Sequence, residues 1–292
     1  MQTFSIRDIE NLSGIKAHTL RVWEQRYGLI MPGRKESRHR EYTNEDLKLI
    51  LRVSYLYHLG YKISRIAVMS PEEINALSLD YNQHTSFQVF INQFIEAALD
   101  FDEDRFEEVF NSLILHLGFE KAFIHVVYPF LQKLGMLWMT GNILPAQEHF
   151  SSHIIRKKII LAIDALTMVT DKQAERIILF SPSGEYHEIP LLLIHYLLKK
   201  SGNPIVYFGI DISIDELKLY VAGNPSCTLY IHMVTNFTDM EPEAYVEMLC
   251  TCFPGKKIFA SGPVFKNDAG YPEQVKFFHS LNDLRGMKPG LQ

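Results

Sequence analysis

The sequence predicts a multidomain chain of α and α/β class: a small helical head with a wing, a four-helix bundle, then a Rossmann-like parallel sheet. Three observations predict it. Charge is split, with 12 Lys+Arg against 7 Asp+Glu in residues 1–70 and 17 against 27 in the remainder. Apolar residues recur at helical spacing from Phe87 to about Val169. Beyond Lys172, short apolar runs alternate with helical stretches, the pattern of parallel strands joined by crossover helices.

In chain order, Ser5 caps a helix that turns Ile6, Ile9 and Leu12 inward, and Gly14 breaks it. A second helix, 17–26, buries Leu20 and Trp23. Gly28 and Pro32-Gly33 then punctuate, and residues 34–42 have hairpin length and too much charge for a core. Helices at 44–58 and 62–69 complete a head at 1–70, and the polar residues 71–84 read as a linker. In a bundle at 85–171, Phe106, Val109, Phe110, Leu113 and Leu117 line one face, and Ile155, Ile159 and Ala162 another. Breaks near 100–102, at Gly118 and at 141–145 divide it into four helices. Within 172–292, residues 177–181, 204–208, 228–233 and 257–260 read as strands. Ligands of such sheets sit beyond the carboxyl ends, here 182–187, 209–211, 232–236 and Ser261-Gly262.

Composition narrows the class. Apolar content of 47% and charged content of 22% are those of an ordinary globular protein. No apolar run reaches the roughly 18–20 residues of a membrane span, and the amino terminus lacks the order of a signal peptide. Cys227, Cys250 and Cys252 make no disulfide framework, so a cytoplasmic location without membrane contact is expected.

The head reads as a DNA-binding module. Two helices joined at a glycine form a helix-turn-helix, and burying Leu20 and Trp23 leaves His18, Thr19 and Arg21 toward base edges. Arg34, Lys35, Arg38, His39 and Arg40 would reach flanking phosphates; the plain alternative is a solvated loop. The run Thr19-Leu20-Arg21-Val22-Trp23-Glu24-Gln25-Arg26-Tyr27-Gly28-Leu29, followed by Pro32, Arg34, Arg38, Arg40 and Tyr42, closely resembles the MerR family signature. The resemblance implies a winged head that engages double-stranded operator DNA as a symmetric dimer and reaches RNA polymerase only indirectly. It also brings Arg26, Tyr27 and Tyr42 into the expected DNA-binding set.

Two features of the body stand out. His187 lies in the loop after the first predicted strand, either as a simple helix-start residue or as a ligand. Trp138, followed ten residues later by Glu148-His149, is either a core aromatic or a cap over a flat, polar-edged ligand. Together with the domain order, these residues resemble the cobalamin-dependent branch of the MerR family, the CarH/CarA/LitR photoreceptor-type repressors. The resemblance implies a cobalamin cofactor, adenosylcobalamin above others, with His187 as the lower cobalt ligand and Glu185 as the partner of its imidazole. It places Trp138 over the upper face, Glu148 and His149 beside the adenosyl group, and His232, Ser261 and Gly262 near the nucleotide tail. Homodimers that pair into a tetramer, and repression, follow from the same resemblance.

Four positions depart from the pattern. Asp-x-His-x-x-Gly reads Glu185-x-His187-x-x-Pro190, His232 replaces a serine, Ser261-Gly262 replaces Gly-Gly, and Met139 replaces the histidine beside the capping tryptophan. Three other readings compete. A metal sensor would need clustered ligands; Cys250 and Cys252 do not face each other on a helix, although Glu148, His149 and His153 could hold zinc. A corrinoid enzyme would need a substrate domain that 292 residues leave no room for. The third is a regulator whose sensor has lost its cofactor and binds another ligand or partner.

Overall fold

The structure is a computed structural model describing residues 3–34, 40–78, 87–167, 175–235, 240–265, 271–280 and 283–284. It divides into two compact units, Met1–Ile154 and Ile155–Gln292.

In the first unit, α1 (Ile6–Ser13) starts at a reciprocal cap between Ser5 and Asp8 and ends at Gly14, whose φ of 73° suits glycine. Glu10 of α1 accepts from the Ala17 amide, so the first helix caps the second, α2 (Ala17–Tyr27). Two short strands, β1 (Gly33–Arg34) and β2 (Arg40–Glu41), pair antiparallel as a wing, and Phe4 and Tyr42 bridge beside it. Helix α3 (Asn44–His58) repeats the capping box with Thr43 and Asp46. Trp23 packs its ring edge-on against Tyr57 of α3, at 5.1 Å. Next come α4 (Ile63–Ile66) and α5 (Pro71–Ser78). The expected linker therefore begins as a helix, anchored by buried Ile74; Pro71 at its first position and an acidic first turn favour it.

The bundle comprises α6 (Phe87–Asp100), α7 (Glu103–Leu117), a third helix in two parts and α10 (Pro145–Asp164). The third helix runs as α8 (Phe119–Ala122), a π-helical turn (Phe123–Val127) and α9 (Tyr128–Met139). Pro129 explains the turn: it has no N–H to return to the His125 carbonyl. Phe94, Phe106, Phe110 and Phe130 meet at ring distances of 4.6–5.7 Å. Burying each such ring contributes about 2–3 kcal/mol.

Head and bundle share polar contacts within this unit. Glu96, 3% exposed, accepts from Arg52 of α3 at 2.7 Å and Arg105 of α7 at 3.0 Å. Lys48 bonds Asp100, Asn92 donates to the Leu51 carbonyl and Lys133 to the Leu12 carbonyl. The compact partition falls inside α10 rather than at the expected bundle boundary near 171.

In the second unit β3 (Arg176–Pro182), β4 (Ile205–Ile212), β5 (Cys227–His232), β6 (Ile258–Ser261) and β7 (Val275–Phe278) form one parallel sheet in the order β4-β3-β5-β6-β7. The crossovers α11 (Glu188–Lys200), α12 (Ile214–Gly223) and α13 (Pro242–Cys252) connect them. Leu229, Ile231 and Met233 pack with Leu217 of α12 and with Val246 and Leu249 of α13. Four strands match the apolar runs read from sequence. β7 was not anticipated, since four residues, one of them Lys276, give too short a signal.

Candidate functional site

On α2, Leu20 and Trp23 are buried, while His18, Arg21, Val22, Gln25 and Arg26 are exposed along the opposite side. Thr19 is half-buried, and Arg26 stacks over the Tyr27 ring at 5.6 Å. Arg38 and His39 lie outside the described residues, as does the Arg34 side chain. One expectation changes here. Tyr42 is 1% exposed, so its ring belongs to the core beneath the wing and not to the DNA surface. Arg40 makes a fork to both oxygens of Glu24, at 2.6 and 3.2 Å, which engages two of its five N–H donors and ties the wing to α2. Sequence reasoning passed over Glu24; its place opposite a basic wing was the signal.

In the sheet unit, strand order reverses between β3 and β5, and a crevice opens at such a switch point beyond the carboxyl ends. The β3 loop carries Glu185 and His187 to that place. Glu185 is 1% exposed, and its carboxylate is surrounded by donors. One oxygen accepts from the Val234 amide at 2.7 Å and the Thr235 amide at 2.8 Å. The other accepts from the His187 amide at 3.0 Å and from its Nδ1 at 2.7 Å. Burial alone would raise this carboxyl, but the His187 and backbone hydrogen bonds outweigh it and hold the pKa at about 2. A charged carboxylate can only accept, so the proton sits on Nδ1 of His187 and the lone pair on Nε2. That is how a histidine is prepared for a metal, and the side chain is 47% exposed.

The ends of β5 and β6 complete the edge. His232 is 8% and Ser261 6% exposed. Tyr230 donates to Ser261 Oγ at 3.0 Å, and Ser261 Oγ lies 2.8 Å from His232 Nδ1. Burial brings the His232 pKa down to about 4, so the ring is neutral. Gly262 has φ 128°, and a Cβ there would meet the Met233 carbonyl oxygen at 1.8 Å; only glycine fits where β5 and β6 converge. Thr235, Val234 and Tyr230 were missed from sequence because they act through backbone amides or from a buried strand position.

The bundle residues lie in the first unit. Trp138 is 54% and Met139 74% exposed, so the core-aromatic reading of Trp138 does not hold. Glu148 accepts from Ser152, and His149 is exposed, 3.7 Å from Glu148. Among the described residues no group of three His, Cys, Asp or Glu side chains is placed to hold a metal, which leaves the zinc reading without a site. No helix among them is long and apolar enough to cross a membrane.

A winged helix-turn-helix head, a helical bundle and a parallel sheet with a ligand-binding edge are the parts of a ligand-responsive transcription regulator. The MerR HTH family regulatory protein description matches residues 4–73, and that of the B12 binding domain matches residues 90–162. The HTH-type transcriptional repressor CarH of Myxococcus xanthus is 25% identical, over 74% of this chain and 74% of its own length. CarA of the same organism is 26% identical, over 72% and 69%. The monomethylamine corrinoid protein of Methanosarcina barkeri shares the fold with a TM-score of 0.53 at 14% identity, covering 68% of this chain and 97% of that one. The chain thus carries a MerR-type helix-turn-helix module and a B12 binding domain, and over most of its length it is similar to the CarH and CarA repressors.

Proposed function

We propose that this protein is a repressor whose operator binding or assembly is set by a cobalamin held at the β3–β5 switch point, with His187 as the lower cobalt ligand. The carrying observation is the Glu185–His187 pair: a buried, charged carboxylate fixing the tautomer of a half-exposed imidazole at the fold's ligand-binding edge. The donor set fits cobalt, for which a neutral imidazole nitrogen is a suitable ligand. When bound, the cofactor supplies a cobalt centre with an exchangeable upper ligand; adenosyl is the form proposed.

In this reading Trp138, Glu148 and His149 serve the upper face, and His18 and Arg21 border base edges. The head remains 1–70, the cap 85–171 and the cofactor domain 172–292. The protein acts in the cytoplasm without catalysis, as a dimer or tetramer on double-stranded DNA.

The test is titration of the protein with hydroxocobalamin in the dark. Wild type turns red with an imidazole-coordinated spectrum. His187→Ala loses that spectrum and most of the affinity, while binding of corrinoid-free protein to operator DNA is unchanged. An identical spectrum in the variant would remove His187 from the cobalt. A second reading, a sensor that has lost its cofactor, is favoured by the filled edge at His232 and Ser261; protein that stays colourless at high cobalamin supports it.

A further inference from the structure

We propose that His232, Ser261 and Tyr230 close the carboxyl edge of the sheet to a nucleotide tail, so that the protein selects corrinoids by the ring and not by the tail. The inference rests on the His187 reading above. A protein histidine and the base at the end of a cobalamin's own tail compete for the same lower position on cobalt. Once His187 takes that position, the bicyclic base must be housed elsewhere.

The direct route from the His187 loop runs past the end of β5, which neighbours β3 in the sheet, and of β6, the next strand out. The register puts His232 beside Ser261 and Ser261 beside Phe278. One step back lie Tyr230 and Phe259. Successive strand residues alternate faces, so these five side chains share one face, opposite Leu229, Ile231 and Met233. That face is filled. Tyr230 stacks on Phe278 at 5.9 Å, and Phe259 meets Phe278 edge-on at 5.3 Å.

Hydrogen bonds lock the filling in place. Tyr230 donates to Ser261, whose own hydroxyl hydrogen is then directed to His232 Nδ1. Ser181 at the end of β3 donates to the His232 carbonyl at 2.8 Å. His232 and Ser261 thus act as a pair, each large or polar group completing the other where two small residues would leave a slot. The His232 Nε2 that remains is buried and has no hydrogen-bond partner among the described atoms.

The test compares hydroxocobalamin with diaquocobinamide, the same ring without the nucleotide, by absorbance titration. Wild type is expected to bind the two within about threefold, because the tail finds no apolar slot to bury its base. His232→Ser with Ser261→Gly is expected to gain about tenfold or more for cobalamin and nothing for cobinamide. The wild-type ratio is decisive even if the double variant fails to fold, and His232→Ser alone repeats the comparison. A wild-type preference for cobalamin of about tenfold or more overturns the proposal while leaving His187 in place. An unchanged ratio in folded variants removes His232 and Ser261 from the role. If wild type and variants bind neither ring, the His187 reading falls and this one with it.

Discussion

Arg40 and Glu185 show how a single partner redirects a residue. Read along the chain, Arg40 is one of a run of basic residues suited to phosphates. In the fold, its guanidinium is engaged by Glu24, 16 positions earlier, and is 22% exposed. Loss of that fork costs the head about 1 kcal/mol, since the pair is only partly shielded from water. Arg40→Ala is accordingly expected to weaken operator binding by loosening the wing, with the dependence of log affinity on log salt unchanged. A slope shallower by about one unit would show that Arg40 neutralises a phosphate after all. Glu185 is the converse case: the spacing Glu-x-His was visible, but the five donors that keep its carboxylate charged come partly from residues about 50 positions away.

Between elements, the contacts of α3 and α9 join the head to the bundle. The Lys133 ammonium of α9 reaches the Leu12 carbonyl at the end of α1, at 2.8 Å. Burial lowers its pKa from 10.5 to about 8. Because the folded value lies below the unfolded one, the unfolded chain holds the extra proton between about pH 8 and 10.5. The charged lysine opposes folding below that window, and stability rises with pH across it. The rise is at most about 3 kcal/mol, and less where water screens the charge. Urea unfolding at pH 7 and pH 10.5, followed through the buried Trp23, should show it in wild type and not in Lys133→Met. Equal gains in both proteins would place the effect elsewhere.

At the scale of the whole molecule, a basic head and an acidic body divide reading from sensing. On the proposed cobalamin reading, light is where this chain is expected to depart from the relatives it resembles. Met139, exposed beside Trp138, would on that reading offer cobalt(III) only a weak thioether where those relatives are expected to offer an imidazole. Protein loaded with adenosylcobalamin in the dark, illuminated and then denatured should release its corrinoid free. Corrinoid retained with a bis-imidazole spectrum, and lost in His149→Ala, would show a rerouted response and defeat this expectation.

Local chemistry determined much of this protein. Capping residues, glycines and apolar spacing placed the head helices, the four bundle helices and four of the five sheet strands, because each depends on residues within a turn or two. The motif spacing around Trp23 and His187 marked both candidate regions. Tertiary structure alone decided that Tyr42 is core, that Arg40 answers Glu24 and that Pro71–Ser78 is helical. It also showed that His232, Ser261 and Tyr230 form one cluster. These outcomes depend on which distant groups share a low-dielectric interior, where a buried polar atom must find a partner or cost about 1–3 kcal/mol. In the second unit it is the strand order that brings Tyr230, His232 and Ser261 together, and in the first it is the packing of the wing on α2 that brings Arg40 to Glu24.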